Sequence, residues 1–226
     1  MGIPVRLWFD YISPYSYLAL TRAERFAAEH GVSWAVRPVF YGAVLDATGL
    51  SGPAEIPIKR EYTLNDVVRA AELLGAALVG PPAHPFRSLE ALRATCLFLD
   101  DPRALTLVVA LSTAAWGEGR DLTRWETIHE VVDSVGLDGS DLEARAADAG
   151  KEVLRRTTGQ ALEAGVFGVP TFGLPDGELF WGHDRLDHLA ARLSGRLPET
   201  AQRSEEIAAR PRGVDRPGVA ERFERA

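Results

Sequence analysis

The sequence predicts an α/β fold in which both ends of the chain contribute strands to one sheet and a long helical stretch is inserted between them. Three observations predict it. Short β-rich runs occur at residues 3–9 and 33–40 and again at 168–174 and 178–181. Between them, from Lys59 to about residue 155, the pattern is helical with no visible repeat. Neither β-containing end is large enough to close a core alone, so the two are expected to pair.

The elements follow in order. Ile3-Pro-Val-Arg-Leu-Trp-Phe9 is short and β-rich and reads as the first strand. Leu18, Leu20, Ala23, Phe26 and Ala27 then form an apolar stripe at helical spacing over residues 17–30. A second strand at 33–40 completes a β-α-β start. Five Gly and Pro residues (Gly42, Gly49, Gly52, Pro53, Pro57) mark 41–58 as a loop or lid. Helices are expected at 59–75, 87–99, from Pro102 to Trp116, and at 124–135, 141–149 and 151–164. Gly75 and Gly165 stand at helix ends, and a Pro-rich loop, Gly80-Pro-Pro-Ala-His-Pro85, separates the first two. Pro175-Asp-Gly177 joins two short runs into a hairpin, and a last helix spans Arg185–Leu193. The expected organisation is a discontinuous domain of 1–58 and 155–196, an inserted helical domain of 59–154, and a loosely ordered tail of 197–226, rich in Arg, Glu and Pro.

Composition narrows the function. A net charge of −7 without a basic patch argues against nucleic acid as a partner. No apolar run reaches the length of a membrane span. The chain enters its first strand without a basic n-region or an apolar h-region, so a cytoplasmic location is expected. Cys96 is the single cysteine, which excludes a two-cysteine redox cycle, and its apolar neighbours suit a small buried hydrophobe. The five histidines are scattered, and no metal is expected.

The organising stretch is Phe9-Asp-Tyr-Ile-Ser-Pro-Tyr-Ser-Tyr17, where the first strand hands over to the first helix. Ser13 is typed as an N-cap and Pro14 as a first-turn residue. A hydroxyl there either caps the helix and nothing more, or faces an anion such as a thiolate or carboxylate. Val169-Pro170 opens a strand where proline supplies no ladder donor, and a cis peptide is one resolution. In Trp181-Gly-His-Asp-Arg185, the Asp184 carboxylate either caps its own helix or holds an ammonium group of a ligand.

Ser-Pro-Tyr-Ser, a helical insertion, Gly-Val-Phe-Gly-Val-Pro-Thr and Trp-Gly-His-Asp-Arg-Leu occur in this order over residues 3 to about 195. Together they resemble the 2-hydroxychromene-2-carboxylate isomerases and kappa-class glutathione transferases of the DsbA-like thioredoxin superfamily. That resemblance implies a thioredoxin-like fold, a central mixed sheet flanked by helices, with a large all-helical insertion. Ser-Pro-Tyr-Ser takes the slot where redox relatives carry Cys-x-x-Cys. The resemblance further implies glutathione as cofactor and Ser13 as the catalytic residue, its hydroxyl donating to the cofactor's thiolate. Pro14 and Tyr15 belong to that motif. Val169 and Pro170 match the cysteinyl-binding pair, and Asp184 with His183 the positions at the γ-glutamyl end. Lys59, Tyr62 and Asp66 fit a family-like Lys-x-x-Tyr-x-x-x-Asp pattern, with Lys59 facing a carboxylate. Leu50 and His183 depart from the family's residues. Tyr15, Phe40, Tyr41, Phe86 and Trp181 are expected either to line an aromatic substrate pocket or to belong to ordinary core.

The function implied is isomerisation of 2-hydroxychromene-2-carboxylate, or a related unsaturated aromatic acid, by reversible thiolate addition, bond rotation and elimination. A kappa-class-like transferase is the alternative, and a non-catalytic thioredoxin-like binding module a third reading. Relatives of this kind imply a homodimer. Ser13 itself is a poor nucleophile here, since no histidine lies within its motif and no Gly-x-Ser-x-Gly elbow exists.

Overall fold

The computed structural model describes residues 2–197 and 201–211. Its sheet has four strands in the order β2-β1-β3-β4: β1 Ile3–Phe9, β2 Val32–Pro38, β3 Thr171–Gly173 and β4 Leu179–Trp181. β1 pairs in parallel with β2, from Ile3 opposite Val32 to Phe9 opposite Pro38. On its other edge β1 meets β3 antiparallel, Leu7 opposite Phe172, and β3 meets β4 antiparallel. Both ends of the chain therefore build one mixed sheet, as the short β-rich runs predict. β1 is central because it is apolar on both faces. Val5, Leu7 and Phe9 enter the main core, while Trp8 is buried on the opposite side with Val39, Ala161, Val166 and Val169.

Two helices, α1 Pro14–Leu20 and α2 Ala23–His30, carry the chain from β1 to β2. The expected single helix over 17–30 starts earlier and breaks at Thr21–Arg22. The expected loop at 41–58 is corrected more strongly, because Tyr41–Thr48 is a helix, α3, closed by Gly49 in the left-handed region (φ 64°). The Gly and Pro residues there mark the ends of elements, and Gly42 sits within the helix against the Phe40 ring. A short 3-10 turn, Pro53–Glu55, leads into α4.

The insertion comprises α4 Pro57–Leu74, α5 Leu89–Cys96, α6 Ala104–Trp116, α7 Trp125–Ser134 and α8 Leu142–Arg145. α8 runs through a π turn, Ala146–Gly150, into α9 Lys151–Glu163. Gly150 is required there, since a Cβ would lie 2.4 Å from the Arg93 carbonyl oxygen. One buried cluster joins Leu7, Phe9 and Leu18 to Leu92, Leu107, Leu111 and Ile128. The insertion thus shares the sheet's core. After the hairpin, α10 Leu186–Leu193 closes the described core. In the expected loose tail, Ala201–Ala208 is a helix, α11. The rest of that tail, from residue 212, lies outside the described residues. Among the described residues no helix is long and apolar enough to cross a membrane.

Candidate functional site

β1 ends at Phe9, and four residues later the chain turns into α1. Ser13 has an extended backbone (φ −89°, ψ 116°), and its Oγ accepts the Ser16 N–H at 3.2 Å. This is the N-cap geometry predicted from the sequence, with Pro14 at the first helical position. The same hydroxyl donates to the Val169 carbonyl at 3.2 Å, 156 residues away. Ser13 is therefore both cap and bridge between the two ends of the chain.

The turn is fixed from beneath by side chains, most of them from the insertion. Asp10, only 1% exposed, accepts the Ile12 N–H at 3.0 Å, the Tyr41 N–H at 2.9 Å and the Ser88 hydroxyl at 2.6 Å. Its own carbonyl accepts the Ser13 N–H at 3.1 Å. Burial raises the Asp10 pKa, opposed by those three hydrogen bonds. Trp116 donates its indole N–H to the Tyr11 carbonyl at 2.8 Å, and the Tyr11 hydroxyl pairs with Thr95 Oγ1 at 2.6 Å. His84 Nε2 meets the Ile12 carbonyl at 3.1 Å, with its ring edge-on to Trp116.

On the other side lie the hairpin and the corner after it. Val169–Pro170 is cis. The Pro170 carbonyl accepts the Gly182 N–H at 2.9 Å, in a turn where Gly182 holds φ 114°. That bond places His183 and Asp184 beside the Ser13 motif. The Tyr15 ring stacks on the His183 imidazole, with centroids 5.2 Å apart and planes within 4°. The Tyr15 hydroxyl donates to Asp66 Oδ2 at 2.7 Å, so one side chain ties α1 to both the corner and α4. Burial, then the bond to Asp66, raises the Tyr15 pKa and keeps the phenol protonated. His183 Nδ1 is buried without a hydrogen-bond partner, and desolvation lowers the imidazole's pKa despite the nearby Asp184 and Asp66 carboxylates. Asp184 makes no cap bond; its side chain is 56% exposed and pairs with Arg185 at 3.2 Å.

Ser13, Pro14, Tyr15, Val169, Pro170, His183 and Asp184 are thus gathered into one corner. Lys59, Tyr62 and Asp66 share a face of α4 by their spacing; Lys59 is exposed on the first turn, and Asp66 is the member bonded to the corner. Phe40, Tyr41, Phe86 and Trp181, expected to line a pocket or to belong to core, occupy separate surroundings. Phe86 packs on the main core and Tyr41 on the small cluster around Trp8. Trp181 is 53% exposed, edge-on to Phe167, and Phe40 is exposed at the start of α3. Trp181 also lies over Gly168, where a Cβ would come within 2.4 Å of Nε1. A groove of about 570 Å³ lies instead along α4, lined by Ala54, Pro57, Arg60, Glu61, Leu64 and Asn65. The Cys96 thiol is buried and pushed up to about 12 by desolvation, as suits a small buried hydrophobe. Among the described residues no group of three or more His, Cys, Asp or Glu is placed to hold a metal ion.

Asp10, His84, Ser88, Thr95 and Trp116 are site residues that sequence reading missed. The available signals were an Asp inside the apolar run Phe9-Asp-Tyr-Ile12 and a lone His within the Pro-rich loop.

The family description "DSBA-like thioredoxin domain" matches residues 4–194. A 2-hydroxychromene-2-carboxylate isomerase of Pseudomonas putida is 33% identical, covering 85% of this chain and 95% of its own. Glutathione S-transferase kappa 1 of Rattus norvegicus is 26% identical, covering 87% and 95%. A solved 2-hydroxychromene-2-carboxylate isomerase superposes with a TM-score of 0.75 at 30% identity, over 91% of this chain and 99% of that one.

Proposed function

Since this chain belongs to the 2-hydroxychromene-2-carboxylate isomerase family within the DsbA-like thioredoxin superfamily, we propose that it is a glutathione-dependent isomerase of a chromene acid or related unsaturated aromatic acid. The observation that carries this reading is the Ser13 hydroxyl, held 3.2 Å from the Val169 carbonyl and beside the His183–Asp184 corner. A Cys-x-x-Cys pair is absent from that place, so the chain's own chemistry there is a hydroxyl's.

The residues suit a γ-glutamyl thiol. The Ser13 bond to Val169 is long and neutral, and it can be exchanged for a stronger, charge-assisted one to a thiolate while Ser16 continues to donate to the same oxygen. The exposed Asp184 carboxylate suits an α-ammonium group, and the Lys59 ammonium suits a carboxylate. His183 Nδ1, buried and unpartnered, is a polar atom with capacity for a ligand hydrogen bond. Bound there, glutathione supplies a sulfur whose reversible addition to an unsaturated carbon frees the adjoining bond to rotate. Ser13 holds negative charge on the sulfur. Tyr15 stays a neutral phenol through burial and its bond to Asp66, and presents its ring as a wall of the site. A free thiol titrates near 8.5, so each unit of lowering adds about tenfold thiolate and corresponds to about 1.4 kcal/mol.

The match to kappa-class transferases favours a second reading, in which the thiol stays on the product. Turnover of a chromene acid without net loss of glutathione distinguishes the isomerase. By analogy with relatives of this kind, a homodimer working in the cytoplasm is part of the proposal. Calorimetry with glutathione on wild type and Ser13→Ala tests the site: a wild-type signal weakened at least tenfold in the variant supports it, and equal binding by both proteins overturns the role of Ser13.

A further inference from the structure

We propose that His84 is a positioning residue for Ser13, acting from the insertion through the Ile12 carbonyl. The inference rests on the reading of Ser13 as a thiolate donor.

The Ile12 carbonyl is the peptide oxygen immediately before Ser13, and an oxygen of this kind only accepts hydrogen bonds. At 3.1 Å, His84 Nε2 must therefore carry the proton. That assigns the neutral tautomer with a bare Nδ1, and Nδ1 is indeed buried without a partner. A proton on Nδ1 would be a buried donor with nothing to receive it. It would also add charge beside Arg60, whose guanidinium donates to the His84 carbonyl at 3.3 Å. The ring therefore keeps one tautomer and one orientation, further fixed by its edge contact with Trp116, centroids 5.2 Å apart.

The consequence falls on Ser13. The peptide plane between Ile12 and Ser13 has two polar ends: its carbonyl takes the imidazole N–H, and its N–H goes to the Asp10 carbonyl at 3.1 Å. With both ends held, that plane cannot swing, and rotation about it is what would carry the Ser13 Cβ and hydroxyl off the line to Val169. Trp116 holds the preceding carbonyl, of Tyr11, in the same way. The histidine touches neither the proposed thiol nor the hydroxyl, so its effect passes through Ser13 alone.

The test uses the full-length protein with reduced glutathione, following the thiolate's ultraviolet absorbance against pH. His84→Ala, and His84→Phe as a shape-preserving non-donor, should raise the bound thiol's pKa by about one unit, a tenfold loss of thiolate at a given pH. His84→Gln, whose amide N–H can still donate to Ile12, should titrate close to wild type. In a Ser13→Ala background, removing His84 should move the thiol pKa no further, because the two act in series. An equal shift with and without Ser13, or no rescue by glutamine, overturns the proposal.

A second measurement separates this failure from failure of the thiol reading. Amide exchange of Ser16, whose N–H is bonded to Ser13 Oγ, should accelerate selectively in His84→Phe relative to the β1 amides. If wild type lowers no thiol pKa, the glutathione reading fails. In that case selective acceleration at Ser16 still supports the positioning role, and uniform or absent acceleration overturns it.

Discussion

On the insertion side of the Ser13 turn, buried or half-buried polar side chains are committed to the turn: Ser88 to the Asp10 carboxylate, Trp116 to the Tyr11 carbonyl, His84 to the Ile12 carbonyl. On the hairpin side the turn meets the Val169 carbonyl and the His183 ring, and beyond the Gly182–Pro170 bond the Asp184 carboxylate is exposed. A buried polar contact is expensive to break, because the group left behind loses water as well as its partner. An exposed one is cheap, because water replaces what is removed. The two sides are therefore suited to different work. The insertion supplies stiffness, and the hairpin supplies groups that a ligand can recruit without unfolding anything. A long insertion in such a fold is easily taken for a lid, yet here it is the bed on which the Ser13 turn rests.

The sharpest way to break this comparison is at Asp10. Asp10→Ala leaves the Ile12 and Tyr41 amides and the Ser88 hydroxyl without their acceptor in the interior. A loss of roughly 3–5 kcal/mol is expected, because up to three neutral donors are left unpaired at about 1–3 kcal/mol each, and urea denaturation reads it. A loss below about 1 kcal/mol would mean the turn is not held from beneath. Trp116→Phe is milder, since it keeps an aromatic ring and removes the donor to Tyr11. It should cost about 1–3 kcal/mol in the same assay.

The histidines give the comparison a pH signature. Desolvation lowers the folded pKa of both His84 and His183 from 6.5. A lowered histidine pKa means the unfolded chain binds more protons below about 6.5, so stability falls as pH drops through that window and levels off below the folded value. Asp10 acts oppositely: its raised folded pKa makes the folded chain the better proton binder above 3.8, which favours folding as pH falls. The prediction is therefore made as a difference. His84→Gln should flatten the loss between pH 7 and pH 5 relative to wild type, by up to about 1.4 kcal/mol per pH unit. Parallel pH profiles for the two proteins would show that His84 is not held neutral by the fold.

How much of this was legible in the sequence follows the same divide. Residues 3–9, 33–40 and 168–181 announced the sheet because β-rich runs and a Pro-Asp-Gly turn are local signals. Ser13 and Pro14 announced the helix start for the same reason. α3 was hidden because its boundary glycines read as loop, although Gly49 is a helix terminator. The clamp beneath the turn was hidden more deeply. His84 meets Ile12 across 72 residues and Trp116 meets Tyr11 across 105, separations at which no periodicity survives. The surroundings of the aromatics were hidden for a related reason: Phe86 and Trp181 share a residue class, but one packs on the main core and the other on Phe167. The hairpin corner was legible through its motif alone, and the structure adds what a motif lacks, namely that Gly182 is bonded to Pro170 and that Tyr15 stacks on His183.

Tyr15→Phe probes the joint between the two sides. It removes the hydroxyl that reaches Asp66 and leaves the ring on His183, and it should cost about 1 kcal/mol of stability by urea denaturation. A cost above about 3 kcal/mol would place this bond among the rigid anchors of the insertion.

The smallest effect on folding should be at Asp184, and there the comparison is most exposed to refutation. Its side chain is 56% exposed, makes no cap bond, and pairs with Arg185, itself 43% exposed. Asp184→Asn should therefore move stability by no more than about 0.5 kcal/mol. If the same carboxylate holds the ammonium end of a γ-glutamyl thiol, that substitution removes a charge-assisted hydrogen bond of about 1.5–3 kcal/mol. Glutathione affinity measured by calorimetry should fall roughly tenfold or more. A stable variant with weakened binding keeps recognition on the hairpin side. A destabilised variant with unchanged binding would make the corner a structural element like Asp10, and the division of labour between the two sides would not hold.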